Sequence, residues 1–486
     1  MALVLAHDLG TTGNKASLFD ESGNIVASHT EPYAVHYPRP GWAEQQGEDW
    51  WRAVCLSTRA LLQAARLQPA DVRVVSFSGQ MMGLLPLDAH GRPLRSAIIW
   101  ADQRAVDEAR WFAERCDPTT VYRRTGHRVG ASYVAAKWLW LKRHQPELYA
   151  QTWRWVMAKD YAVFKLTGQV ATDYSDASGT NLFDLQTARW CEDFVEALQL
   201  EAHQLPPLHP STEVIGEVTR EAAAATGLRP GTPVVIGGGD GACATVGAGS
   251  VGVGDAYCVI GTSAWIAFTA AQPLIDPQQR TFTFGHLMPR RYIPMGTMQS
   301  AGGAREWWLR IAAEEVNDAA LAEVPVGSDG VIFLPYLIGE RSPWWNPHAR
   351  GAFLGLSMSH TPAHLQRAIL EGIAMNLKLI FDALSAQQPL TSLRLVGGGA
   401  RSAVWRQILA DVLGVPLTIP QLLAEATSWG AAVAGGVGVG LYPSWEIARA
   451  PMQTVQHILP NPEAHARYVD LLERFRAAYH AVAALV

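Results

Sequence analysis

Cysteine is sparse in this chain and carries no pattern: Cys55, Cys116, Cys191, Cys243 and Cys258 never fall into C-x-x-C spacing. That excludes a disulfide framework and a thiolate zinc site, and it suits a reducing compartment. The histidines show no metal-ligand spacing. No G-x-x-x-x-G-K-[ST] run is present either, so a P-loop nucleotide site is not supported. A basic field is also missing. The formal net charge is -5 and the pI is near 6.3, whereas a nucleic-acid partner needs a positive stripe. No apolar run approaches the roughly 20 residues that cross a bilayer, so no membrane partner is expected. The most apolar late stretch, Ala431 to Leu441, is short and rich in glycine, and it reads as a close-packed helix and turn. The first apolar run is broken at once by His7 and Asp8 and lacks a basic leader. No secretory signal fits, and a cytoplasmic protein is expected.

What is present has the balance of a globular protein. Hydrophobic residues make up 49% and charged residues 17% of 486, a composition that does not favour disorder. The length implies two large domains or three ordinary ones.

The most informative segment is the first. An apolar strand, Leu3 to Ala6, delivers Asp8 into the turn Asp8-Leu9-Gly10-Thr11-Thr12-Gly13, with Lys15 just beyond. Such a turn suits nucleotide phosphates: glycine lets the backbone approach a ligand, threonine adds hydroxyl donors, and a carboxylate at a strand end can hold a hydrated metal ion. A weaker echo follows the strand Tyr257 to Ile260 as Gly261-Thr262-Ser263. Two such turns imply two related halves facing each other across a nucleotide.

The remaining organisation is layered α/β. Strands are predicted at Lys15 to Phe19 and Ile25 to Ser28, a helix at Gly47 to Leu67, and a buried strand at Val72 to Ser78 ending in Gly79. Helical spacing recurs at Ala135 to Arg143 and Lys159 to Leu166. The strand Pro233 to Ile236 opens into Gly237-Gly238-Gly239-Asp240-Gly241, and small residues continue to Ser250. The domain boundary is placed near residue 250, within this glycine-rich stretch. Later come strands at Val331 to Pro335 and Leu393 to Val396 and a long helix from Thr361 to Leu384. Thr361 is its N-cap and Pro362 its first residue. A C-terminal amphipathic helix is expected from Pro462 to Leu485.

Three clusters carry candidate chemistry. Asp240, after three glycines at a strand end, can project into a cleft and take the proton of a substrate hydroxyl, although a turn or helix-capping role explains it equally. Gln80, Met81 and Met82 after one strand, and Trp100, Asp102 and Arg104 after another apolar run, suit a polyol site. There an indole covers carbon while amide, carboxylate and guanidinium reach hydroxyls. The alternative is ordinary packing for the Trp and Met residues and a surface ion pair for Asp102 and Arg104. Gly397, Gly398 and Gly399 can let a base or ribose lie on the backbone, or can simply make a strand-to-helix turn. The pairs Trp50-Trp51, Trp307-Trp308 and Trp344-Trp345 suit core filling or contact between two copies of the chain, so a homodimer is an open expectation.

The ordered segments resemble the FGGY family of carbohydrate kinases, and within it the xylulose kinases, over nearly the whole chain. They include Asp8 to Gly13, Gly41-Trp42-Ala43-Glu44-Gln45, Ser78-Gly79-Gln80-Met81, Ile99-Trp100-Ala101-Asp102 with Arg104, and Lys159-Asp160-Tyr161. Thr172 to Thr180, Gly237 to Asp240, Phe333 to Leu337 with Gly339-Glu340-Arg341, and residues 351–371 complete the set. The resemblance implies two actin-like, ribonuclease-H-like α/β domains closing on ATP and a small sugar: residues 1–248 with the sugar site and catalytic Asp, and 249–486 with the ATP site. It implies Asp240 as general base, and Asp8 with Asp240 as the carboxylates near Mg2+. Thr11, Thr12 and Lys15 would meet phosphates from one side, Gly261 and Thr262 from the other. Gly302, Gly303, Gly398, Gly399, Ala400 and Ser402 would lie along the nucleotide, and Met81, Met82 and Gly241 near the sugar.

The resemblance breaks at two positions. Xylulose kinases usually carry His where Met82 stands and Asn where Gly241 stands. Both changes remove polar partners that read hydroxyl configuration. D-xylulose, giving xylulose 5-phosphate, stays first among substrates on overall resemblance; another ketopentose, a polyol or a sugar acid remains open. A non-catalytic sugar sensor of the same fold and an actin- or chaperone-like ATPase are the readings from other classes.

Overall fold

The computed structural model describes residues 2–312, 316–420, 425–452 and 454–485. Its organising element is the strand Leu3–Leu9, whose residues are nearly all buried. Successive side chains of a strand point to opposite faces. Accordingly Leu3, Leu5 and Leu9 enter one core with Trp50, Val54 and Tyr161, while Val4 and Ala6 enter another with Val246, Trp429 and Ala432. A strand buried on both faces needs a continuous apolar run rather than alternation, and that is what the sequence supplies.

This strand pairs antiparallel with Gly13–Phe19 and parallel with Val72–Gly79. The full sheet runs in the spatial order Val214–Glu217, Pro233–Val235, Val72–Gly79, Leu3–Leu9, Gly13–Phe19, Ile25–Pro32, with Gly238–Gly239 also paired to Val72–Gly79. A second sheet repeats the plan. Ala256–Ile260 pairs antiparallel with Ala264–Phe268 and parallel with Leu393–Val396. The outer strands are Tyr292–Met298 and Phe282–Gly285 on one side, Leu417–Pro420 and Thr454–Ile458 on the other. Two sheets with one plan make the actin-like pair of mixed α/β domains.

The helix Ala426–Gly438 joins the two halves. It lies late in the chain yet packs on the first sheet and on the helix Asp240–Gly247. The approach is backbone to backbone: a Cβ on Gly247 would stand 1.7 Å from the Ala426 carbonyl oxygen, and one on Gly430 1.9 Å from that of Cys243. The small-residue stretches at 242–250 and 431–441 are thus two sides of one close contact, and the second reads as the expected helix and turn.

Most expected elements appear with small changes of boundary. The helix from Gly47 stops at Ala64, because Arg66 adopts a left-handed conformation with φ 52°. The long helix spans Pro362–Ser385 with Thr361 as N-cap, and the C-terminal helix spans Pro462–Ala483, capped by Asn461. All five cysteines are free. Among the described residues, no helix is long and apolar enough to cross a membrane.

Candidate active site

The site is built where three parallel strands end together. Asp8 lies opposite Ser78, Gly238 opposite Ser78 and Gly239 opposite Gly79, so Asp8 and the residue after Gly239 emerge side by side. Carboxyl ends of parallel strands are the usual place for ligands in such sheets. The Ser78 hydroxyl donates to Asp8 Oδ1 at 2.9 Å. Asp240 opens the helix Asp240–Gly247, and its Oδ1 accepts the Gly241 N–H at 2.7 Å. The glycines before it have physical reasons. Gly237 has φ 67°, and a Cβ there would lie 1.8 Å from the Phe77 carbonyl oxygen.

Burial, reinforced by the Asp8 charge, pushes the Asp240 carboxyl up to about 7. Burial also raises Asp8, against the Ser78 hydrogen bond and the Lys15 charge. Two buried carboxylates, one raised further by the charge of the other, form a site in want of a cation or a proton.

The turn after Asp8 is braced from below. Tyr33 donates to the Gly10 carbonyl at 2.6 Å, Gln80 to the same carbonyl at 3.2 Å, and Gln45 to the Thr11 carbonyl at 2.7 Å. On the opposite domain, three glycine segments converge. Gly302 and Gly303 donate their N–H groups to Gly261 and Thr262 carbonyls at 2.9 and 3.0 Å. Gly397, with φ 92°, lies against Ile260, where a Cβ would stand 2.6 Å from the carbonyl oxygen.

Between the halves is a cavity of about 340 Å³, reached from the first domain by Thr11, Met81, Met82, Trp100, Asp240 and Gly241. Ser263, Trp265, Phe282, Phe284, Met295, Thr297, Arg341 and Trp345 close it from the second half, and Tyr133, Ala244 and Thr427 complete it. Both phosphate-type turns therefore reach one space, through Thr11 and through Ser263. The Arg341 guanidinium forms no hydrogen bond or ion pair among the described residues, although its charge is felt by His127 and Tyr133.

Other expected positions lie elsewhere. Asp102 and Arg104 do not line the cavity. Arg104 donates to Asp102 at 2.7 and 2.9 Å, pairs with Glu44 at 2.7 Å and stacks over Trp42 at 3.6 Å, while Asp102 accepts the Ala43 N–H at 2.6 Å. Both side chains are buried and held by these contacts, with Arg104 Nη1 left without a hydrogen-bond partner among the described residues, so the pair is an interior one rather than the surface ion pair expected. The Gln80 amide nitrogen donates to the Gly10 turn and to the Gln45 side-chain oxygen at 2.6 Å, while its buried side-chain oxygen has no partner among the described residues. Thr12, Gly261, Thr262 and Gly398 are exposed and Lys15, Gly302 and Gly303 half-buried, and none of them lines the cavity. Gly399 and Ala400 are buried in the turn. Ser402 caps the helix Ala403–Leu413 and donates to Asp318 at 2.9 Å.

Arg341, Tyr133 and the aromatic wall were not singled out from the sequence. Arg341 and Trp345 sit in or beside quoted segments, and only the fold shows that they face Asp240 across a cavity. Phe282, Phe284 and Met295 carry no local signal, being ordinary alternating strand residues.

Behind the site is a fully buried charge cluster. Lys159 Nζ lies 2.6 Å from Asp160, 3.0 Å from Asp173 and 3.0 Å from Asp176. Burial opposes the Lys159 charge, but three carboxylates outweigh it and hold its pKa well above the ordinary value. Burial drives the Asp176 carboxyl far upward. Asp173 Oδ2 accepts the Ser175 hydroxyl at 2.5 Å, and Ser175 Oγ in turn accepts the Gly239 N–H at 2.9 Å. The Lys159-Asp160 and Thr172–Thr180 segments thus secure the backbone immediately before Asp240.

Residues 3–247 match the N-terminal domain, and residues 256–439 the C-terminal domain, of the FGGY family of carbohydrate kinases. The chain belongs to this family. It is a carbohydrate kinase, a phosphotransferase to an alcohol acceptor, and the family implies ATP as donor. The chain is 36% identical over 477 residues to a xylulose kinase of Escherichia coli, with 97% of each chain covered. It is 32% identical to a gluconokinase of Bacillus licheniformis, covering 97% of this chain and 94% of that one. A ligand-bound xylulose kinase from Lactobacillus acidophilus superposes with a TM-score of 0.94 at 29% identity, over 100% of this chain and 99% of that one.

Proposed function

We propose that this FGGY kinase transfers the γ-phosphoryl group of ATP to a terminal hydroxyl of a small keto sugar, D-xylulose first among them, with Mg2+. The observation that carries this reading is the single cavity into which Asp240, Thr11 and Ser263 all reach. Asp240 takes the acceptor hydroxyl's proton as the oxygen forms its bond to the γ-phosphorus. The bond from that phosphorus to the β,γ-bridging oxygen breaks, and ADP leaves with the electron pair. Thr11 and the 261–263 turn orient the phosphates from the two domains, and Trp100 with the aromatic wall keeps water from the transferring group.

The donor set fits magnesium. Among the described residues no three acidic, His or Cys side chains form a metal cluster, and Mg2+ is commonly held by one or two carboxylates with water and substrate phosphates. Asp8 and Asp240 would hold it here, and the ion would offset phosphate charge.

One observation favours a second reading, a sugar acid such as gluconate. The Arg341 guanidinium, without an ion pair among the described residues, lines the same cavity as Asp240, where it suits a carboxylate, and the Bacillus licheniformis relative is a gluconokinase. ADP release measured across ketopentoses, pentitols, tetritols, glycerol and sugar acids separates the readings. Highest kcat/KM on D-xylulose supports the first and on an aldonic acid the second. Tight binding of one sugar with no ADP from any of them would defeat both.

A further inference from the structure

Lys137 lies on the helix Val134–His144 and is completely buried. Its ammonium forms no ion pair among the described residues. Instead it donates to three backbone carbonyls: Met82 at 2.8 Å, Ile99 at 2.8 Å and Ser132 at 2.7 Å. Three donors meet three acceptors, so the group is saturated. The acceptors come from three separate segments, and each belongs to or immediately precedes a residue of the cavity wall: Met82 itself, Trp100 and Tyr133. Met82 also has φ 63°, a conformation that costs an unbranched side chain free energy and persists only where its surroundings hold it.

Burying an ammonium without a carboxylate is costly, and a helix that needed only packing would carry an apolar residue here. Asp102 and Arg104, the nearest charges, act on it in opposite directions, and burial leaves its pKa at about 7. The expense is accounted for by geometry. We propose that Lys137 is a positioning residue for sugar selectivity, tying the peptides at Met82, Ile99 and Ser132 into one wall so that the Met82, Trp100 and Tyr133 side chains meet the acceptor in fixed register. The inference rests on reading the cavity as the acceptor site.

The test compares Lys137→Met and Lys137→Gln with Leu139→Ala, a buried position on the same helix that serves as a stability control. Wild type is first assayed on the sugar panel; activity on none of them defeats the acceptor-site reading in that arm alone. For the Lys137 variants, the sugar KM should rise about tenfold or more and the kcat/KM ratio between two sugars differing at one hydroxyl should shrink, with the ATP KM within about twofold. Leu139→Ala should lower the melting temperature without moving either sugar parameter. A crystal structure of either Lys137 variant should show Met82 leaving the left-handed region, a readout independent of turnover. Unchanged sugar KM and selectivity in a folded variant, or Met82 still at positive φ, would overturn the proposal.

Discussion

The Trp100 indole N–H donates to the Thr11 hydroxyl at 3.0 Å, so one wall of the cavity is bonded directly to the turn beside Asp8. If the cavity takes the sugar, as proposed, the ring that covers it also fixes the hydroxyl that would meet a phosphate. Trp100→Phe keeps an aromatic face and removes that bond. It should weaken the dependence of ATP binding on bound sugar: the ATP affinity gained on adding sugar, read by calorimetry, should fall about three- to tenfold. Equal gains in variant and wild type would show that the bond couples nothing.

Asp240 predicts opposite effects on activity and stability. Asp240→Asn should cut kcat by roughly a thousandfold or more while sugar affinity stays within a few-fold, the pattern of a group that acts on the proton rather than in binding. Its carboxyl titrates at about 7 when folded, chiefly through burial, and near the ordinary Asp value of roughly 4 when unfolded. A raised folded pKa means that the native state holds a proton the unfolded state has lost. The stability this group allows is therefore full below about pH 4 and falls away as pH rises to about 7. In magnesium-free buffer, Asp240→Asn should gain stability over wild type across that window by roughly 1–2 kcal/mol, allowing for solvent still reaching the carboxyl. Thermal melts at about pH 5 and about pH 8 would show it. A constant difference between the two would refute the assignment.

Asp102 illustrates what the sequence could and could not convey. Its neighbours Trp100 and Arg104 follow an apolar run in the manner of Asp240 after its strand, and residue type alone did not distinguish the two. The difference is a long-range one: Ala43 N–H, Glu44 and the Trp42 ring arrive from far up the chain and hold Arg104 and Asp102 away from the cavity. The strand ends at Asp8, Gly79 and Gly239 were legible because a continuous apolar run followed by glycine has few other uses. The aromatic wall was not, because Phe282 and Phe284 differ from core residues only in what stands opposite them. Asp102→Asn should accordingly lower the melting temperature by several degrees and leave the ratio of kcat/KM values between sugars unchanged. A changed ratio at unchanged stability would return Asp102 to the acceptor site.

Gly241 is not held to glycine by packing. A Cβ there would meet nothing closer than Met81 Sδ at 4.0 Å, so a side chain can leave the backbone at this position without a clash at its first carbon. Gly241→Asn combined with Met82→His supplies hydrogen-bonding groups at both positions where the chain leaves that pattern. If D-xylulose is the acceptor class, the double variant should sharpen discrimination between D-xylulose and its hydroxyl epimers by about tenfold, since polar pockets select hydroxyl configuration far better than apolar ones. Steady-state kinetics on the epimer pair decides this. No gain in discrimination would mean that those side chains do not reach the acceptor here.

Arg341 offers the sharpest division between the two acceptor readings. Glu340, next to it, feels the Arg341 charge, but burial outweighs that and pushes its carboxyl up to about 8, and it accepts the backbone N–H groups of Gln299 and Arg341 at 2.8 and 2.7 Å. No ion pair between the two side chains forms among the described residues, and Arg341 lines the cavity. Arg341→Met removes that charge while retaining an unbranched chain. For an aldonic acid, losing a charge-assisted partner should raise KM by about a hundredfold. For a neutral ketose, sugar KM should change only a few-fold, and any larger loss should fall on kcat, through the charge of the transferring phosphoryl group. The split between KM and kcat, measured on both acceptors with one variant, therefore reports which anion the guanidinium meets.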